Sequence, residues 1–166
     1  MKMGYSKDFV KDFAKRTRKN LKFIETAKPE FKITQLVNSC LGLIAIPRQV
    51  CFKNIPVTLL EELASKGWPI PHDEGGFPPA PDLQKLIGHL RNGITHGHLK
   101  FTCDADNEIK FILVWDETPR GKKIWQARFH RDELRRFVMK FSDMLIDGRF
   151  CSRCCSCQVP SEIEYD

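Results

Sequence analysis

Arg91, Asn92 and His96 form an Arg-Asn-x-x-x-His pattern within the stretch Asp82 to Leu99. These residue types suit phosphodiester cleavage without a metal ion. That reaction needs a base for the attacking hydroxyl, an acid for the leaving oxygen and positive charge beside the phosphate. Histidine titrates near neutral pH and can serve as base or acid, while arginine can hold a phosphate through two parallel hydrogen bonds. Asn92 can donate to a phosphate oxygen or fix the orientation of His96.

The pattern also has a purely structural interpretation. Arginine can bind the carbonyls at a helix C-terminus, and a histidine there interacts favourably with the helix dipole. On a helical wheel Arg91 lies on the flank of the apolar stripe, about 140° from His96, so a straight helix does not aim both side chains at one point. Either the helix ends early, with Gly97 as its C-cap, or a second chain completes the site.

The surrounding sequence predicts the elements that position these residues. Apolar residues recur at helical spacing in four stretches, and in three others they alternate as in strands or follow turn residues. The helical stretches are Ser6 to Ala27, Ile33 to Ile46 ended by Pro47, Asp82 to Leu99, and Arg131 to Ile146; the strands are residues 99–103, 109–114 and 123–129. A capping box at Thr58 to Glu61 predicts a further short helix, and Trp68 to Pro81 an irregular loop. We therefore expect an all-α fold, a four-helix bundle with a small antiparallel β insertion between the third and fourth main helices.

Three stretches of this sequence resemble the HEPN superfamily of small helical ribonuclease and nucleotide-binding domains. They are LRNGITHGHLKF, with Asn directly after Arg as in a common variant of the HEPN motif, TQLVNSCLGLIAIPRQ before it, and DELRRFVMKFSDML after the strands. The last two are similar to the plasmid-type HEPN branch, and the likeness covers roughly residues 5 to 147. The resemblance implies a metal-independent endoribonuclease with Arg91, Asn92 and His96 as catalytic residues, no cofactor, and a homodimer whose site is shared. It also implies a toxin or defence effector with a possible cognate antitoxin protein.

Length and charge agree with a nucleic-acid partner. The chain has 166 residues, which suits one domain, and its net charge of +6 favours a polyanion such as RNA. The sequence shows no apolar run of membrane-spanning length and no signal peptide, so we expect a cytoplasmic protein without membrane contact. In the first helix Lys15, Arg18 and Lys22 lie on a basic ridge, interpreted either as an RNA-binding surface or as a solvated helix face.

The cysteines and the other histidines have less definite roles. Cys40 is expected to be a small buried hydrophobe and Cys103 a strand residue. We divide the chain into a HEPN-like domain at residues 1–149 and a Cys-rich, disordered tail at 150–166. Four cysteines in that tail are cramped for one tetrahedral zinc ion, so the pattern favours a disordered tail over a metal site: Cys151, Cys154, Cys155 and Cys157. His89 lies too far from His96 along the helix to share a metal, and His98 is expected at the surface although it can also join the site.

Two other classes of function remain open from the sequence. One is a catalytically inactive HEPN module that binds nucleic acid, nucleotide or a partner protein. The other is a cysteine-dependent metal or redox regulator built on the tail.

Overall fold

The computed structural model describes residues 9–51 and 55–147. Within these ranges five α-helices, one short 3-10 helix and one four-stranded sheet follow one another along the chain. The helices are α1 (Phe9–Ala27), α2 (Lys32–Cys51), α3 (Leu60–Ser65), α4 (Leu83–Thr95) and α5 (Arg131–Asp147), with the 3-10 turn at Pro29–Phe31. The strands are β1 (His72–Asp73), β2 (Leu99–Cys103), β3 (Ile109–Glu117) and β4 (Lys123–His130).

The helical half of the core forms where α1, α2 and α5 pack on one another. Each presents an apolar stripe at helical spacing, as in the buried Val10, Ala14 and Leu21 of α1. Helix α2 also contacts α4, the helix that carries the motif. The predicted end of α1 at Ala27 and start of α5 at Arg131 are confirmed, whereas the predicted start of the first helix at Ser6 lies outside the described residues.

The sheet has the order β1-β4-β3-β2, and all its neighbours are antiparallel. Alternate side chains of β3 and β4 face the helices, so Val114, Trp125 and Phe129 are buried in the same core as the helical stripes. Helices α4 and α5 pack on this face, whereas Phe111, Leu113 and Trp115 alternate toward the other face. The sheet is therefore a structural layer that supports α4.

This arrangement shows that the all-α expectation is wrong. Helices account for 55% and strands for 20% of the structure, which makes the fold mixed α/β. The strands predicted between the third and fourth main helices are present, but β1 adds a fourth strand from the proline-rich loop that precedes α4. The prediction underestimated the sheet because its inner residues, including Trp125 and Phe129, form part of the main hydrophobic core.

Several helix ends differ from the prediction. Helix α2 continues past Pro47 to Cys51, since a proline removes one backbone donor without forcing the helix to stop. The capping box at Thr58 does not form: α3 starts at Leu60 with no side-chain cap, and the Thr58 carbonyl instead accepts a hydrogen bond from the Leu83 N–H at 2.9 Å.

The thiols of Cys40 and Cys103 lie where expected, buried in α2 and exposed in β2 respectively. Cys151, Cys154, Cys155 and Cys157 lie outside the described residues, as does the proposed tail of residues 150–166. Across residues 9–51 and 55–147, none of the helices combines the length and the apolar character needed to cross a lipid bilayer.

Candidate functional site

Helix α4 is held in register by its cap and its apolar face. The Asp82 carboxylate accepts a hydrogen bond from the Lys85 N–H at 2.8 Å, which satisfies one of the unpaired donors at the helix start. Leu83, Leu86 and Leu90 are fully buried on the core side. The cap and the buried face together fix the rotation of α4 about its axis, and with it the direction in which His89 and Asn92 point.

The end of α4 places the motif histidine outside the helix. His96 is the C-cap residue, and Gly97 follows in the left-handed conformation with φ of 72°. The Gly97 N–H donates to the Ile94 carbonyl at 3.2 Å and the His98 N–H to the Gly93 carbonyl at 2.8 Å, which is the Schellman motif. The helix predicted to run to Leu99 thus ends at Thr95. Because His96 lies beyond the helix, the angle that a straight helix would set between Arg91 and His96 does not apply.

Gly93 allows α4 to lie directly against β3. A Cβ atom at this position would stand 2.5 Å from Val114 Cγ1 and 2.7 Å from the Trp115 carbonyl oxygen. No residue with a side chain fits at that distance. This contact brings the polar side of α4 against the end of β3.

A buried carboxylate organises that polar side. Asp116 of β3 is 3% exposed, and its Oδ2 lies 2.8 Å from His89 Nδ1 and accepts a hydrogen bond from Asn92 Nδ2 at 3.0 Å. Arg91 Nη1 donates to Asn92 Oδ1 at 3.0 Å, so the two ends of the Asn92 amide are distinguished by their partners. The His89 ring also stacks on Trp125 of β4, with centroids 5.0 Å apart. Asn92 is therefore locked in orientation between Asp116 and Arg91.

Two imidazoles stand beside this network. The rings of His96 and His98 have centroids 5.9 Å apart, and His98 stacks on Trp115 of β3 at 5.5 Å with planes 8° apart. Glu117 accepts a hydrogen bond from Trp115 Nε1 at 2.7 Å, and its other oxygen lies 3.8 Å from His98 Nε2. Trp115 and Glu117 thus fix the position of the His98 ring, and the His96 ring lies beside it.

These groups surround an open cavity of about 610 Å³. It is lined by Asn92, His96, His98, Asp116, Glu117, Thr118, Pro119 and Gly121. Two of the three predicted catalytic residues, Asn92 and His96, line it, whereas Arg91 is attached to it only through Asn92. His98, for which the sequence left both a surface position and a place in the site open, lines the cavity with its side chain 25% exposed.

The sequence did not reveal Asp116 or Glu117 as site residues. Asp116 reaches Asn92 across 24 positions of sequence through the pairing of α4 with β3. The available signal was an acidic residue at an inward-facing strand position, where a carboxylate requires a partner.

The predicted RNA-binding residues belong to a different part of the fold. Lys15 and Lys22 are exposed on α1, which packs against α2 and α5. Arg18 forms an ion pair with Asp143 of α5 and so links two helices. The cavity is instead bounded by α4, β3 and the turn that follows β3.

Within the described ranges, no three His, Cys, Asp or Glu side chains converge closely enough to hold a metal ion. A family model described as HEPN pEK499 p136 matches residues 3–149 of the chain. The chain belongs to the HEPN family. HEPN domains are nuclease or nucleotide-binding modules, are generally associated with ribonuclease activity, commonly bind RNA and often dimerise. Neither the curated proteins nor the solved structures provided a match.

Proposed function

We propose that this HEPN domain is a metal-independent endoribonuclease that cleaves RNA by attack of the ribose 2′-hydroxyl. The observation that carries the proposal is the placement of Asn92 and His96 in the wall of one open cavity beside the buried Asp116. This cavity is large enough to admit a nucleotide and is open to solvent, so a polymer can pass through it.

In this mechanism the 2′-oxygen bonds to phosphorus while the bond from phosphorus to the 5′-oxygen breaks. One imidazole takes the proton of the 2′-hydroxyl and a protonated one gives a proton to the leaving 5′-oxygen, so charge and protons balance. His96 and His98 supply two imidazoles within one chain, with rings 5.9 Å apart. Arg91 does not line the cavity of its own chain, so the Arg91 of a partner chain provides the positive charge for the phosphate as it gains negative charge.

We retain the homodimer as part of the proposal, with a changed geometry. HEPN domains often dimerise, and Arg91 does not line the cavity of its own chain. The polar side of α4 cannot serve as the interface, because it is occupied within the chain by Asp116 and Trp125. A partner must therefore approach at the open mouth of the cavity.

The resemblance to plasmid-type HEPN proteins supports a role as a cytoplasmic toxin or defence effector with a cognate antitoxin protein. Lys15, Arg18 and Lys22 are proposed as a secondary RNA contact. Among them Lys15 and Lys22 are exposed, while the ion pair with Asp143 restrains Arg18.

A cleavage assay in EDTA tests the mechanism directly. Mixed-sequence RNA should be cut to products with a 2′,3′-cyclic phosphate, and DNA of the same sequence should stay intact because it lacks the attacking hydroxyl. His96→Ala should reduce the rate by about 10²- to 10⁴-fold, the range for loss of a proton-transfer group. Arg91→Ala should also abolish cleavage. His72→Ala, at an exposed histidine of β1, is the matched control and should cleave normally.

Cleavage of DNA, a requirement for Mg²⁺, or full activity of His96→Ala would refute the mechanism. RNA binding without any cleavage by the wild type would favour the inactive binding module. Mixing Arg91→Ala with His96→Ala protomers belongs to the same series, and partial recovery of activity is the result expected of a shared site.

A further inference from the structure

We propose that the substrate is single-stranded RNA and that it enters the cavity across the turn between β3 and β4. In this arrangement Arg120 and Lys122 bind its phosphates, and an unpaired base stacks beside the His98 and Trp115 rings. This inference rests on the proposed function, since it names the substrate class and the entry path of the same site.

The β3–β4 turn is a rigid basic element. The Thr118 N–H donates to the Lys122 carbonyl at 2.8 Å, the Gly121 N–H to the Thr118 carbonyl at 2.9 Å, and the Lys122 N–H to Thr118 Oγ1 at 3.2 Å. Arg120 and Lys122 lie within the turn and Lys123 begins β4, and the sequence from Thr118 to Lys123 contains no acidic residue. A polyanion therefore meets cations whose backbone is already ordered.

Two of these cations are available to a ligand. Arg120 and Lys122 are exposed, and in the part of the chain that the structure describes no acidic group lies within ion-pair distance of either side chain. On the α1 ridge, by contrast, Arg18 is paired with Asp143. Phosphate binding at the turn does not have to break an existing ion pair.

The turn adjoins the cavity. Thr118, Pro119 and Gly121 form part of the cavity wall together with His96. Phosphates held on Arg120 and Lys122 would therefore place the neighbouring part of the same strand at the imidazoles.

Aromatic rings continue the same surface. His98 stacks on Trp115, and Lys123 Nζ lies 4.8 Å from the centroid of the Trp115 ring. Farther along β3, on the same face, Arg128 Cζ lies 4.9 Å from the centroid of the Phe111 ring. Helices α4 and α5 pack on the opposite face of the sheet, so among residues 9–51 and 55–147 no helix covers this face.

Rings bordered by cations favour single-stranded nucleic acid over a protein partner. Proteins that bind single strands combine a basic groove for the backbone with aromatic side chains for the bases. A duplex keeps its bases stacked inside and offers only its backbone and groove edges. The cavity mouth thus matches an unpaired strand.

The test measures binding separately from cleavage. The probe is a fluorescein-labelled 2′-O-methyl oligoribonucleotide of about 12 nucleotides, in the size range of single-strand binding sites, which cannot be cut by 2′-hydroxyl attack. The variant is the double substitution Arg120→Ala and Lys122→Ala. The control is Lys66→Ala with Lys85→Ala, which removes the same charge from exposed lysines just after α3 and at the start of α4.

The affinity for the probe is measured by fluorescence anisotropy across a series of salt concentrations. Loss of two phosphate contacts should flatten the slope of log K against log salt by about 1.4 and weaken binding about 25-fold at about 0.1 M salt. The control should keep the wild-type slope, and hybridising the probe to its complement should weaken binding at least several-fold.

Equal weakening by the control pair, an unchanged affinity in the turn variant, or equal binding of the duplex would overturn the inference. If the wild type cuts RNA while the turn variant binds and cuts normally, the entry path is wrong and the proposed function stands. If the turn binds the probe as expected but natural RNA is never cut, the proposed function fails instead.

Discussion

Replacing Gly93 with alanine tests the contact on which the site is built. Two effects oppose each other. Alanine in a helix interior is favoured over glycine by about 1 kcal/mol. The new Cβ atom, however, would lie 2.5 Å from Val114 Cγ1 and 2.7 Å from the Trp115 carbonyl oxygen, distances that real Cβ atoms do not show.

The steric effect should be larger. Val114 is buried and the second contact is with backbone, so neither neighbour can rotate away. Helix α4 must move from β3 by about half an ångström, since a close-packed interior has no spare volume. Overpacking of this kind costs about 1–3 kcal/mol, and the hydrogen bond from Asn92 to the Asp116 carboxylate is worth about 1.5–3 kcal/mol when intact. A shift of this size weakens that hydrogen bond without breaking it, at a cost of about 1 kcal/mol. This cost and the helix gain of about 1 kcal/mol cancel, so we expect a net loss of about 1–3 kcal/mol.

Thermal unfolding followed by circular dichroism measures this loss. The melting temperature of Gly93→Ala should fall by about 3–9 °C for a domain of this size, and RNA cleavage should fall with it. Gly42→Ala in α2 is the matched control, because its Cβ would meet only the tip of the Phe13 ring at 3.0 Å. That ring can move, so the control should be neutral or more stable by up to about 1 kcal/mol. A Gly93→Ala protein as stable as Gly42→Ala would refute the proposed close packing of α4 on β3.

Two further predictions concern ionisable groups. Burial raises the pKa of the Cys40 thiol to about 12, so iodoacetamide at about pH 8 should label Cys103 in the folded protein and spare Cys40 until unfolding. A hydrogen bond from Arg131, helped by the charge of Lys32, holds the pKa of Glu108 below its usual range. The resulting stability is present above the ordinary carboxyl pKa and is lost as pH falls through the folded-state pKa, so Glu108→Gln should lower the melting temperature at neutral pH but not in strong acid.

Each of these has a direct control. Peptide mass spectrometry after labelling separates the two thiols, and equal modification of both in the native protein would contradict the burial argument. For the carboxylate, Glu30→Gln removes an exposed charge elsewhere. A melting-temperature difference between Glu108→Gln and wild type that grows as pH falls would have the wrong sign.

The sequence predicted the helices better than the layer beneath them. Helices α1 and α5 carry regular apolar stripes bounded by clear stop signals, so their described ends agree with the pattern. Strand β1 has only two residues, in a loop rich in proline, and its pairing with β4 depends on distant residues. Periodicity reports on neighbours along the chain and therefore cannot show such a pairing.

The same limit applies to the site. Asn92 and His96 were identified from residue type and spacing, and both line the cavity. Asp116 was missed because its position depends on the β3 register, and the place of His98 stayed open between surface and site because it depends on the Schellman turn at Gly97.

The hydrogen bond between Asn92 and Asp116 has a consequence for finding working copies of this motif in other sequences. A scan for Arg-Asn-x-x-x-His examines only six consecutive residues, yet here the orientation of the asparagine depends on a strand residue 24 positions later. A fragment ending at residue 108 would contain every letter of the motif and none of β3. A useful scan should therefore require a carboxylate at the inward-facing position near the end of the second strand after the motif.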